Sequence, residues 1–164
     1  MKRLLSAVLL ALGGATLAAA QVPPGPPPGQ MPPSITIDMV RAAFVAQSGS
    51  DKVFFAGDGY GLDAAAQATL TAQARWLRVN PGIAVRIEGH SDARSTRDHA
   101  LAIGERRADA VRDFLVLQGV PAAQISIISW GKERPAVEGP GENSLALNRR
   151  AVTVLMPPGA ATPF

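Results

Sequence analysis

Cysteine is absent from the 164 residues. Disulfides, thiolate metal sites and cysteine nucleophiles are therefore excluded, and so is lipid attachment through a cysteine of this chain. Histidine is scarce, and His90 and His99 alone do not make a metal site. Charged residues are few, at 18%. After the first twenty residues, no apolar run approaches the ~20 residues of a membrane span. A concentrated basic face is also missing. Removing Lys2 and Arg3 from the 16 basic residues leaves 14 against 13 acidic ones. Nucleic acid binding needs a denser positive surface than that.

What is present begins with an address. Met1-Lys2-Arg3 is a short positive start, Leu4 to Leu17 is apolar, and Ala18-Ala19-Ala20 offers small residues at a cleavage position. This pattern is expected of a cleavable secretory signal over residues 1–20, with an uncleaved inner-membrane anchor as the alternative. Residues 22–33 read Val-Pro-Pro-Gly-Pro-Pro-Pro-Gly-Gln-Met-Pro-Pro. Proline fixes φ and removes donors, so residues 22–33 favour an extended segment of roughly 35 Å at ~3.1 Å per residue, and residues 21–34 are expected to be a linker, with a disordered tail of no mechanical role as an equal alternative. Residues 35–50 suit a short helix capped by Asp38, either packed on the domain or extending a stalk.

The remainder, residues 51–157, reads as one domain, followed by a short tail over 158–164. Asp51 to Phe55 suits a strand. Asp63 suits a helix cap, and Ala66, Leu70, Ala74 and Leu77 make one apolar stripe. Ile83, Val85 and Ile87 alternate with polar neighbours, as in a half-buried strand that gives way to a loop at Gly89-His90-Ser91-Asp92. A second helix is expected from Asp98 to about Gln118, with a core stripe of Leu101, Ala108, Val111 and Leu115. A third strand is expected over Gln124 to Trp130, a loop over 131–148 and a fourth strand over Arg149 to Met156. The order β-α-β-α-β-β predicts a two-layer α/β (α+β) sandwich, with two helices on one face of a mixed sheet.

Loops that follow parallel strands open at one sheet edge, so Asp58 and Asp92 can meet there. Arg107 lies about two turns into the second helix, which starts near the same edge. A carboxylate and a guanidinium so placed suit a zwitterionic ligand, through an ammonium contact and a two-bond carboxylate contact. Spacing alone favours the plainer reading, in which Asp92 caps or braces its own loop and Arg107 is a solvated helix charge. His90 has no nucleophile motif near it, so catalysis is not expected and no cofactor or metal is implied.

Four motifs add to this reading: Ile87-Glu88-Gly89-His90-Ser91-Asp92, Gly104-Glu105-Arg106-Arg107-Ala108-Asp109-Ala110-Val111, Gly131-Lys132-Glu133-Arg134-Pro135 and Asn148-Arg149-Arg150-Ala151-Val152. Together they resemble the OmpA-like peptidoglycan-binding domain family, and within it the peptidoglycan-associated lipoproteins. The resemblance implies non-catalytic binding of the meso-diaminopimelate residue of the peptidoglycan stem peptide in the periplasm, at the outer membrane or free of it. It implies that Asp92 takes the ligand's ammonium and Arg107 its carboxylate. Asp58 corresponds to a groove aspartate and Arg149 to the first arginine of the Asn-Arg-Arg motif. This sequence departs from the family pattern at Ser95 (usually Gly), Ala100 (usually Asn) and Gly57 (often aromatic). It also lacks the lipidated cysteine. The losses at Ser95 and Ala100 motivate an alternative, an interaction scaffold for Tol-type envelope partners with a weakened groove.

Overall fold

The structure, a computed structural model, describes residues 36–156. The expected signal peptide, linker and tail lie outside the described residues.

The chain forms α1 (Ile37–Ser48), β1 (Lys52–Phe54), α2 (Ala64–Val79), β2 (Val85–His90), α3 (Arg97–Leu117), β3 (Ile125–Gly131), α4 (Glu142–Asn148) and β4 (Arg150–Leu155). The strands lie in the order β1-β4-β2-β3, with β4 antiparallel to both β1 and β2 and with β2 parallel to β3. β1, β2 and β3 therefore run the same way, and the loops that leave them emerge at one edge of a mixed sheet. The two-layer α/β architecture expected from the sequence is the one observed.

Side-chain alternation along the strands sends Val53, Val85, Ile87, Ala151 and Leu155 into one apolar cluster with Leu70, Leu77, Val111 and Leu115 of α2 and α3. Each fully buried Leu or Val contributes about 1.5–3 kcal/mol relative to exposure. The expected stripe on α2 is buried throughout, and Asp63 caps that helix by accepting from the Ala66 N–H at 2.7 Å.

Several expectations are corrected. Thr96, not Asp98, caps α3, and Thr36, not Asp38, caps α1. Both aspartates sit instead in the first turn, where the helix dipole favours a negative charge. Leu101 is only half-buried, while Ala100, Ile103 and Gly104 are buried. Residues 131–148 are not loop throughout, because α4 ends that segment. Gly89 and His90 belong to β2, which runs past the expected loop through a register irregularity.

Helix α1 packs on the domain. Phe44 is fully buried, its ring set edge-on to Trp76 at 5.1 Å, and Arg41 pairs with Asp51 at 3.0 Å.

One contact fixes the site. A Cβ added to Gly89 would stand 1.8 Å from the Gly104 carbonyl oxygen, and one added to Gly104 would stand 2.3 Å from Ser129 Oγ. Only glycine at both positions lets α3 lie this close to β2 and β3. Arg107, one turn beyond Gly104, is thereby set against the end of β2.

Candidate ligand-binding edge

All four expected site residues converge at this edge. Asp58 follows β1, Asp92 follows β2, Arg107 comes from α3, and Arg149 immediately precedes β4.

Arg107 is not a solvated helix charge. Its side chain is fully buried on the core side of α3. Nε donates to the Gly59 carbonyl at 2.9 Å, Nη1 to the His90 carbonyl at 2.8 Å and Nη2 to the Gly57 carbonyl at 2.6 Å. The guanidinium also lies 5.2 Å from the centre of the Phe55 ring. Arg107 thus ties the loop after β1 to the end of β2. Three of its five N–H groups are used in these bonds. Burial lowers its pKa to about 10, against the opposing pull of Asp92 and Asp58, so it stays charged at neutral pH.

Asp92 is only 1% exposed. Its Oδ1 accepts the Arg94 backbone N–H at 3.1 Å. Its Oδ2 accepts Arg94 Nε at 3.1 Å, Arg94 Nη2 at 2.7 Å and Arg149 Nη1 at 3.2 Å. Burial pushes the carboxyl pKa up. The hydrogen bonds from Arg94 and Arg149 outweigh burial and hold it below the ordinary value. Asp92 therefore does brace its own loop, one of the two readings left open by spacing, and it does so with a buried carboxylate kept ionised.

Arg149 is 6% exposed. It reaches Glu142 Oε1 at 2.6 Å as well as Asp92, and these bonds raise its pKa against the effect of burial. Asp58 is exposed, close enough to Arg94 and Arg107 to stabilise both charges. Asn148, the first residue of the Asn-Arg-Arg motif, accepts the Ala136 and Val137 N–H groups and donates to the Val137 carbonyl, which holds the loop after β3.

Two participants escaped the sequence reading, Arg94 and Glu142. Arg94 sits two residues beyond Asp92, the spacing of an aspartate turn, and that signal could have found it. Glu142 lies in a segment read as loop, and its role follows from α4 alone.

The departures from the family pattern have structural answers. Among the described residues no non-glycine residue has positive φ, so Ser95 is accommodated without left-handed backbone. Gly57 has φ +50°, a conformation an aromatic residue would adopt only with strain, and its carbonyl is the one that Arg107 Nη2 holds. Ala100 is fully buried beside Gly131 and brings no polar group to the edge. Among the described residues no group of three His, Asp or Glu side chains could hold a metal ion.

The sequence pattern that defines the OmpA family matches residues 54–149. A peptidoglycan-associated lipoprotein of Agrobacterium fabrum is 50% identical over 105 residues, which is 64% of this chain and 59% of that protein. The chain thus spans about three fifths of that relative's length. The crystal structure of the peptidoglycan-associated lipoprotein from Burkholderia pseudomallei matches with a TM-score of 0.64 at 40% identity, covering 66% of this chain and 92% of that one. The C-terminal domain of Helicobacter pylori MotB matches with a TM-score of 0.62 at 16% identity, covering 66% of this chain and 86% of that one, a likeness of fold alone.

Proposed function

The chain belongs to the OmpA family, and from that premise we propose that it binds the peptidoglycan stem peptide without cutting it. The bound group is meso-diaminopimelate, whose side chain ends in an ammonium and a carboxylate. Asp92 takes the ammonium and Arg107 the carboxylate, while Asp58 and Arg149 complete the charge balance of the groove. The observation that carries this reading is the meeting of a buried, ionised Asp92 and a buried, charged Arg107 at the edge where three strand-end loops open. Buried groups held charged at a loop edge mark a candidate binding site, beside the structural bonds that both side chains make. The location that follows is the periplasm, on the cell wall, with residues 1–20 as the export signal. The domain borders are those of the sequence reading, with α1 added to the folded part.

The test is a pull-down with purified sacculi. Wild type is expected to sediment with peptidoglycan, and Asp92→Asn, which keeps the shape and removes the charge, is expected to stay in solution. Circular dichroism checks that Asp92→Asn is folded. A folded wild type that stays in solution would sink the reading. A scaffold for Tol-type envelope partners, the second reading, is favoured by Ala100, which leaves the edge without the family's usual polar group. That reading requires the wild type to ignore sacculi.

A further inference from the structure

We propose that Arg94 is an internal stand-in for the ligand's ammonium, so that binding exchanges one cation for another on Asp92. The proposal rests on the peptidoglycan reading above and concerns what that reading leaves unassigned.

A carboxylate offers about four lone-pair directions. On Asp92, Oδ2 is crowded by three donors, Arg94 Nε, Arg94 Nη2 and Arg149 Nη1, while Oδ1 accepts the Arg94 backbone N–H. With its side chain 1% exposed, Asp92 has no free face for an ammonium. One of the two cations must leave first.

They differ in how firmly they are held. The Arg149 side chain is 8% exposed and bound also to Glu142 at 2.6 Å and to the Phe55 carbonyl at 3.4 Å. The Arg94 side chain is 51% exposed, on a loop, and its remaining neighbour is Glu142 Oε2 at 3.7 Å. Arg94 is therefore the one that yields. Glu142 and Asp58 both act on its charge already, so the released guanidinium finds negative charge beside it.

The exchange has a consequence for selectivity. A simple amine only replaces the bond it breaks. A ligand carrying an ammonium and a carboxylate gains a second contact with the arginines, so the edge prefers zwitterionic ends over plain amines.

The experiment compares wild type, Arg94→Ala and Arg94→Gln in the full chain, titrated with a disaccharide tripeptide that ends in meso-diaminopimelate. Arg94→Ala is expected to bind about five-fold tighter than wild type, because no charge-assisted bond has to be broken first. Its melting temperature is expected to fall, since Asp92 loses a partner. Arg94→Gln, which keeps length without charge, is expected to fall between the two. In wild type the Arg94 Nε–H resonance is expected to shift on titration. A ligand-contacting Arg94 would instead give weaker binding in both variants, and that result, or unchanged affinity, overturns the proposal while leaving the peptidoglycan reading intact. If none of the three chains binds the probe, both readings fall.

Discussion

Arg149 and Arg150 are neighbours in the chain, yet they turn to opposite sides of the sheet and meet opposite treatment. Arg149 enters a cluster with Asp92, Arg94 and Glu142, where the hydrogen bonds raise its pKa despite burial. Arg150 turns to the face that carries His90 and Trp130. Burial lowers the pKa of Arg150, and Glu88 opposes that shift. His90 there is held to a pKa of about 4, first by burial and then by the charge of Arg150. Among the described residues, His90 Nδ1, Trp130 Nε1 and Arg150 Nη1 are buried without a hydrogen-bond partner. One cluster keeps its charges by pairing them with carboxylates, and the other drives its histidine neutral. The difference separates a region suited to charged ligands from one that serves packing, although a single residue boundary divides them.

The sharpest way to break this contrast is to remove a charge from each side. Arg107→Met should cost about 3–5 kcal/mol, because it strands three carbonyls that its guanidinium satisfies. Arg150→Met should cost only about 1 kcal/mol, because one carbonyl bond, to Arg134, is lost. Urea unfolding of the two variants beside wild type measures both, and equal losses would erase the distinction. Gly89→Ala tests what the two clusters share, the close approach of α3 to the end of β2. The added methyl meets the Gly104 carbonyl and should cost about 3 kcal/mol, with Arg107 displaced as α3 shifts. Unfolding together with sacculus binding reads out both effects.

A smaller effect sharpens the contrast through pH. The unfolded chain protonates His90 near the ordinary 6.5, and the folded chain only near 4. Below 6.5 the unfolded state takes up a proton that the folded state refuses, so stability falls as pH falls from 6.5 towards 4. The loss amounts to on the order of 2–3 kcal/mol at the lower end. His90→Gln should flatten the curve over that window. Asp92 behaves in the opposite region: its depressed pKa adds stability above its ordinary 3.8 that is lost only at lower pH. Denaturant midpoints measured from pH 7 to pH 3 separate the two groups.

Much of the fold was legible because it depends on local order. The stripe Ala66, Leu70, Ala74, Leu77 repeats at helical spacing, and Asp63 stands where a cap belongs, so α2 could be read directly. The α3 stripe differs from the apolar pattern at Leu101 because the buried face of that helix carries Arg107 and Gly104, residues that an apolar count assigns elsewhere. β2 extends beyond Ile87-Glu88 because Gly89, which has the composition of a loop, is the residue that admits the helix. For the site, residue types and the shared sheet edge could be anticipated, but partnerships could not. The pairing of Arg94 with Asp92 needs the turn that brings its guanidinium back over the carboxylate.

The sequence by itself determined the order of the four strands and of the two long helices between them, the apolar face of α2 and the residues that carry charge at the strand ends, because periodicity acts over a few residues. The tertiary structure decided which charges are buried and what each one holds. Arg107 meets Gly57, and Arg149 meets Asp92, across 50 and 57 residues of chain. Such pairs form only when β4 inserts between β1 and β2 and brings the ends of distant strands together, and no local spacing carries that information.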